Sequence, residues 1–157
     1  MSTPTDPAQV FREAWRAAGL EPEIVRFDEP VPTAAVAAER LGCEVGAIAN
    51  SLVFDADGVP VLVLASGAHR VDTGKVAADL GLARLRRASP DFVLEHTGQV
   101  VGGVGPTGHP HPLRTVIDAD LTAYDRLWAG AGDKHSMVAT TVRELELLTG
   151  GAVQPVC

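Results

Sequence analysis

Apolar residues recur along the chain with two different spacings, which predict helices and strands in an irregular order. Asp6-Pro7, an acidic cap before a proline suited to the first helical position, precedes apolar residues at helical spacing, and Gly19 is predicted to end this helix. Glu23 to Phe27 is typical of a short strand. After two prolines, Thr33 is predicted to cap a second helix that runs to about Leu41.

The strongest local pattern is a pair of apolar runs, Ile48 to Phe54 and Val59 to Ala65. The four residues between them, Asp55 to Gly58, are turn formers, so the two runs predict a β-hairpin. Both runs are nearly continuous in apolar residues rather than alternating. We therefore expect the hairpin to lie at the centre of the sheet and to be covered on both faces.

The remaining pattern predicts three more helices and three more strands. Helices are expected after the capping residues Asp72, Ser89 and Thr141, ending near Leu80, His96 and Leu148. The strands are expected at Ala83 to Arg87, Arg114 to Asp118 and Ser136 to Ala139. Helices interleaved with strands, including a hairpin, predict an α/β fold with a mixed sheet. No linker or repeat divides the chain, so residues 1–157 are expected to form one domain.

Composition and charge limit the partners that this domain could bind. With 157 residues, of which 46% are hydrophobic and 21% charged, the chain has the composition of one ordinary soluble domain. Its net charge of −7 argues against DNA binding or broad nucleic-acid binding, so a nucleic-acid partner must be held locally. Arg84, Arg86 and Arg87, with Arg70 and Lys75 nearby in sequence, form either a local basic patch or a charged strand edge that prevents sheet pairing.

The cysteines and the start of the chain predict a cytoplasmic protein. Cys43 and Cys157 form no C-x-x-C pair, which is typical of a reduced protein. Met1 to Asp6 lacks the basic and apolar regions of an export signal, and the apolar runs are too short to span a membrane. We therefore expect neither export nor a membrane partner.

The most unusual segment is Gly98 to Gly108, GQVVGGVGPTG, in which five of eleven residues are glycine. It contains a G-x-G-x-x-G pattern at Gly103, Gly105 and Gly108, which in another context indicates a dinucleotide site. That motif must open a helix, and the prolines of the following HPHP exclude one. No nucleotide cofactor is therefore expected.

Two interpretations of this glycine loop remain open. Its small residues could let the backbone approach a ligand and turn N–H groups towards an oxyanion, with Pro106 stiffening the loop. Alternatively, it is a tight turn at the sheet edge and nothing more. His109 and His111 could offer two ligands to a metal, but no third ligand is apparent. We expect no metal and two solvent-facing loop histidines.

Four stretches, taken in order, resemble the YbaK/EbsC family, which is related to the editing domain inserted in bacterial prolyl-tRNA synthetases. They are CEVGAIANSLVF, VLVLASGAHRVDTGKVA, VVGGVGPTGHP and AGAGDKHSMVATTVRELELLTGG, and they span residues 43–151. The order and spacing of the four stretches are more specific than any single glycine motif.

The resemblance implies a compact α/β domain whose mixed, strongly curved sheet is surrounded by helices and contains a small cavity. It implies a trans-acting deacylase that hydrolyses the ester of mischarged aminoacyl-tRNA, with tRNA for proline carrying alanine or cysteine as the expected substrate. The expected partner is the 3′ acceptor end of that tRNA, with a synthetase as a further candidate. An aminoacyl ester is already activated, so an oriented water can attack it without a protein nucleophile.

The resemblance also assigns roles to particular residues. Backbone N–H groups of the glycine loop would stabilise the carbonyl oxygen of the ester, and Pro106 would hold the loop. His135 would set which amino-acid side chains fit the cavity. The N–H groups concerned are those of Gly102, Gly103, Val104 and Gly105.

One position departs from the family pattern: relatives commonly carry lysine where this chain has Asn50. Exchanging a charge-assisted hydrogen bond for a neutral one costs about 1–2 kcal/mol, which is about tenfold in rate. Asn50 is thus compatible with a divergent deacylase and with a module that only binds a tRNA end or a synthetase. A hydrolase of other small esters or amides is a third possibility.

Three further side chains are candidates for contacting the substrate. Arg70 and Lys75 are expected to contact phosphate at the tRNA end, or else to lie on a solvated helix face. Ser66 is expected either to form a hydrogen bond in the cavity or simply to end its strand.

Overall fold

The computed structural model describes residues 6–157. Residues 1–5, which belong to the predicted domain and to the segment searched for an export signal, lie outside the described residues. The helices are α1 (Pro7–Ala17), α2 (Ala34–Leu41), α3 (Thr73–Leu80), α4 (Pro90–Thr97) and α5 (Val142–Thr149). The strands are β1 (Glu23–Arg26), β2 (Ile48–Ala56), β3 (Val59–Ser66), β4 (Arg86–Arg87), β5 (Arg114–Asp118), β6 (Leu127–Gly130), β7 (Ser136–Thr140) and β8 (Ala152–Gln154).

The strands form one mixed sheet in the order β1-β7-β6-β2-β3-β5-β8, with the short β4 also paired to β2. The β2–β3 hairpin is antiparallel, whereas the β2–β6, β3–β5 and β5–β8 pairs are parallel. The predicted α/β fold with a mixed sheet and a central hairpin is therefore confirmed.

The helices begin at the residues whose side chains the sequence marks as caps. The Asp6 carboxylate accepts a hydrogen bond from the Ala8 N–H at 3.1 Å, and the hydroxyl of Thr33 accepts one from Val36 at 3.2 Å. Such bonds satisfy N–H groups that the first helical turn leaves without a partner. Within residues 6–157, no helix is long and apolar enough to cross a membrane.

Three features of the sheet differ from the sequence prediction. The strand expected at Ala83 to Arg87 is only two residues long, Arg86–Arg87, and β6 and β8 were not predicted. The new strands have four and three residues, so their apolar patterns are too short to stand out from loops. They become strands because longer neighbours pair with them.

The apolar core lies on both sides of β3. Leu62 and Leu64 pack with Phe11 and other residues in one buried cluster, whereas Val61, Val63 and Ala65 belong to another. The expectation that the second run is covered on both faces is thus correct from Val61 to Ala65, whereas Val59 at its start is 59% exposed. It is wrong for β2, in which the Leu52 side chain is 37% exposed. The uncovered part of β2 is where the sheet opens.

Candidate active site

The sheet has a gap along one edge of β2. At the start of this strand, Ile48 and Ala49 pair with β6, and near its end Phe54 and Asp55 pair with β4. Between these contacts, the stretch Asn50–Val53 pairs with β3 on one side and, among the described residues, with no strand on the other. A partly unpaired strand in the middle of the sheet thus borders an opening.

The backbone of β2 presents polar groups to this opening. The Ile48 carbonyl accepts a hydrogen bond from the Gly67 N–H at 2.7 Å, so the backbone polar groups of Ile48 point towards β3. Successive residues of a strand point these groups to opposite sides. Ser51 and Val53 therefore direct their N–H and C=O groups into the gap, where a ligand can pair with them.

The gap opens into a cavity of about 860 Å³. This volume is within the range of small-molecule sites in proteins. Asn50 lies on its β2 wall, half-buried, and Val101, Gly102 and Val104 of the glycine loop form another wall. The predicted Asn50 and part of the predicted glycine loop are therefore brought together around one cavity.

The glycine loop is held from inside by Gln99, which is 1% exposed. The Gln99 Oε1 accepts a hydrogen bond from the Gly105 N–H at 2.8 Å, and its Nε2 donates one to the Thr107 carbonyl at 3.1 Å. A buried amide whose oxygen and nitrogen are both hydrogen-bonded restrains the loop from its inner side. Sequence reasoning missed this residue, although it lies within the glycine segment.

Glycine is required in the loop because other backbone passes close to it. A Cβ atom on Gly103 would lie 2.7 Å from the Asp133 carbonyl carbon, and one on Gly105 would lie 2.7 Å from the Gly130 carbonyl oxygen. Gly130 has the reciprocal restriction, since its Cβ would lie 2.5 Å from the Val104 carbonyl oxygen. The loop, the end of β6 and the β6–β7 turn thus pack directly, backbone against backbone.

Of the four N–H groups that were predicted to stabilise an oxyanion, two already donate hydrogen bonds within the protein and two do not. Those of Gly103 and Gly105 already donate, to the Val100 carbonyl at 2.9 Å and to Gln99. Those of Gly102 and Val104 have no acceptor among the described residues, and both residues line the cavity. Pro106 is buried in the loop and does not line the cavity.

His109 does not face solvent, contrary to the expectation for this loop. Its ring is half-buried, and Nε2 lies 2.9 Å from the Gly105 carbonyl oxygen, to which it donates in the Nε2–H tautomer. Burial lowers the pKa of His109 below the usual 6.5, and the hydrogen bond to Gly105 only partly opposes this shift. His109 thus supports the loop as a neutral donor. His111 is exposed, as expected.

Three other predicted residues lie outside the cavity. Ser66 is buried, and its hydroxyl donates to the Gly46 carbonyl at 2.8 Å. The Lys75 ammonium forms a 2.8 Å ion pair with Asp79 one turn later in α3. His135 Nδ1 lies 3.1 Å from the Phe27 carbonyl oxygen, and its ring does not line the cavity.

Three cationic residues from separate segments do line the cavity: Arg70, Arg87 and Lys134. All three are exposed, and none is within 4.0 Å of a carboxylate of the described residues. Arg70 was predicted as a contact, whereas Lys134 was missed although it directly precedes His135. A net charge of −7 therefore coexists with a cationic rim around the cavity.

At one margin of the cavity, His69 lies between two carboxylates. Its Nδ1 is 3.0 Å from Asp118 Oδ2 and its Nε2 is 2.8 Å from Asp120 Oδ2. The buried Asp118 also accepts the Ser66 N–H at 3.0 Å. One ligand atom from each of the three side chains lies within 4.8 Å of the others, a spacing that could hold a metal ion but that is also common in acidic clusters without one. The cluster connects the loop after β3 to β5.

Comparison with known proteins identifies the family of this chain. A family model described as the aminoacyl-tRNA editing domain matches residues 28–148. The uncharacterized protein YwhH of Bacillus subtilis is 32% identical over 126 residues, covering 80% of each chain. The proline–tRNA ligase of Citrifermentans bemidjiense is 33% identical over 97 residues, which are 60% of this chain and 17% of the ligase. The chain thus spans about a fifth of the ligases that it matches.

Solved structures agree with the sequence comparison. A proposed trans-editing enzyme for prolyl-tRNA synthetase superposes with a TM-score of 0.90 at 36% identity, covering 98% of both chains. The hypothetical protein APE2540 superposes with a TM-score of 0.85 at 29% identity, covering 94% of this chain and 98% of the other. The likeness therefore extends over nearly the whole chain.

Proposed function

Since this chain belongs to the aminoacyl-tRNA editing domain family, we propose that it is a trans-acting deacylase that hydrolyses the ester of mischarged aminoacyl-tRNA. The observation that carries the proposal is the opening in the sheet, where Asn50 on β2 lines one cavity with Gly102 and Val104, whose N–H groups have no acceptor among the described residues. This arrangement offers hydrogen-bond donors on two sides of a bound ester.

The chemistry requires water, an oriented ester and donors for the developing oxyanion. Attack of water on the ester carbonyl places negative charge on the carbonyl oxygen; the bond to the ribose oxygen then breaks, and the proton lost by the water passes to that oxygen, which leaves the free amino acid and a ribose hydroxyl. In this proposal the N–H groups of Gly102 and Val104 donate to that oxygen. Gly103, Gly105 and Pro106 act indirectly, by holding the loop against β6. Donors fixed by packing need no rearrangement during the reaction.

Asn50 positions the ester or the terminal ribose through its neutral amide. An amide can donate and accept at once, but its hydrogen bonds are weaker than those of an ammonium. We therefore expect Asn50 to contribute to the rate without supplying most of it. Arg70 is a proposed phosphate contact because it is exposed at the cavity. Ser66, Lys75 and His135 are proposed to act only through the scaffold, because they lie outside the cavity.

The proposed substrate is tRNA for proline that carries a small wrong amino acid such as alanine or cysteine. Likeness to a proposed trans-editing enzyme for prolyl-tRNA synthetase supports this choice. A cavity that admits small side chains and excludes proline would act as a second sieve, since binding alone discriminates poorly between similar side chains. A synthetase partner and a cytoplasmic location belong to the same proposal.

The test is a deacylation assay with alanyl- and cysteinyl-tRNA for proline, comparing the native protein with Asn50→Ala and Asn50→Lys. We expect Asn50→Ala to lower kcat/KM by about fivefold, because it removes a positioning hydrogen bond worth about 1 kcal/mol. Asn50→Lys should maintain or raise the rate. Intact esters with the native protein and hydrolysis only by Asn50→Lys would instead support a binding module.

A further inference from the structure

We propose that Lys134 binds a phosphate of the RNA end from the wall of the cavity that the glycine loop shares with the β6–β7 turn. The inference rests on the proposed function and adds to it a binding residue for the anionic part of the substrate. It depends on the position of the side chain, on its lack of an anionic partner and on its place in the cavity.

The stem of Lys134 lies over the glycine loop. A Cβ atom on Gly102 would lie 3.9 Å from both Cγ and Cε of Lys134, so the apolar stem covers the place that a larger residue would occupy. The Lys134 carbonyl accepts a hydrogen bond from the Val31 N–H at 2.8 Å, which fixes its backbone. The ammonium therefore projects from an anchored residue beside Gly102, a proposed oxyanion donor.

The ammonium group of Lys134 forms no ion pair with the described residues. Its neighbour Asp133 is the nearest acid in sequence, but that carboxylate lies 3.5 Å from Arg26 Nη1 and accepts bonds from the His135 N–H and the Ser136 hydroxyl. Among residues 6–157, no carboxylate is within 4.0 Å of the Lys134 ammonium. Lys75 contrasts with it, since that ammonium is paired with Asp79.

An exposed, flexible ammonium at the rim of a cavity suits a phosphate better than a developing oxyanion. Lysine acts on phosphate as a point charge and tolerates a range of directions, whereas an oxyanion requires donors that are fixed in place. Arg70 and Arg87 line the same cavity from other segments. Cations on more than one side can hold an RNA end in a protein whose net charge is −7.

The test measures how salt affects binding of an RNA hairpin that has a single-stranded 3′ end and carries no amino acid. Lys134→Met keeps the apolar stem over Gly102 and removes the charge, whereas Lys134→Arg keeps the charge. Loss of one phosphate contact should lower the slope of log Kd against log salt by about 0.7. It should also weaken binding by about two- to fivefold at low salt. Lys75→Met is the matched control and should keep the native slope.

The possible outcomes separate this inference from the proposed function. A native slope in Lys134→Met, in a protein that still deacylates tRNA, overturns the role of Lys134 alone. An equal loss of slope in Lys75→Met also overturns it, because the effect would then come from overall charge. If the native protein neither binds the hairpin at low salt nor deacylates tRNA, the proposed function fails and the inference with it. A reduced slope in Lys134→Met, restored in Lys134→Arg, supports it.

Discussion

Gly130 lies outside the glycine loop, but its lack of a side chain allows the loop to pack against β6. A side chain at this position would lie 2.5 Å from the Val104 carbonyl oxygen, so Gly130→Ala must push the loop away from β6. We expect a loss of about 1–3 kcal/mol of stability, because backbone has to move. Displacement of Val104 should lower kcat/KM for mischarged tRNA by about tenfold to a hundredfold. Thermal unfolding and the deacylation assay measure the two effects.

The control for this substitution is Gly74→Ala in α3. A Cβ there meets its nearest atom, Asp72 Oδ1, at 3.6 Å, so the methyl group fits. Its free energy of unfolding should be unchanged or higher by up to about 1 kcal/mol, with native activity. Equal losses in both variants would show that the packing of the loop against Gly130 has no special role.

His109 should make stability depend on pH. The unfolded chain takes up the His109 proton near pH 6.5, whereas burial lowers the pKa in the folded protein. The folded protein therefore loses stability as the pH falls below 6.5. His109→Gln keeps a donor for Gly105 and removes the titration, so it should lose less stability than the native protein between about pH 7 and pH 5.

Denaturant unfolding at several pH values measures this difference, and the exposed His111 provides the control. His111→Gln should follow the native pH dependence, since that ring has no buried contact to lose. Parallel curves for the native protein and His109→Gln would contradict the buried, neutral state of His109.

At the scale of elements, the conformation of the glycine loop depends on the buried side chain of Gln99 as well as on its glycines. Gln99→Leu leaves the Gly105 N–H and the Thr107 carbonyl without their partner. Unsatisfied buried groups of this kind cost about 1–3 kcal/mol, so the free energy of unfolding should fall by that amount. Deacylation should fall as well, because Val104 lies next to Gly105. Gln9→Leu on the exposed face of α1 should change neither quantity by much, and if it did, the effect could not be assigned to the loop.

The sequence predicts the helices better than the sheet because helix signals are local. All five predicted capping residues are caps in the structure: Asp6, Thr33, Asp72, Ser89 and Thr141. Strand β6 is different, because it pairs with β2, which is distant in sequence, as well as with the neighbouring β7. The gap beside β2 likewise depends on where β4 and β6 stop. No local pattern records that geometry.

At the scale of the whole molecule, the cavity joins segments that no sequence window contains. Asn50 and Gly102 were predicted by resemblance, and the structure places both at the cavity. Lys134 and Gly130 became visible only when the β6–β7 turn was placed against the glycine loop. The rim is cationic although the chain carries a net charge of −7, so average charge did not predict it. Function here depends on local charge, which the fold decides.

The most direct test of this account is the rate at which the native protein releases alanine or cysteine from mischarged tRNA for proline. The rates are compared with a reaction without protein and with tRNA that carries proline. We predict rapid release of at least one of the two wrong amino acids and little release of proline, because water attacks an ester that is held between β2 and the glycine loop. Spontaneous rates with all three substrates, from a folded protein, would contradict the central claim.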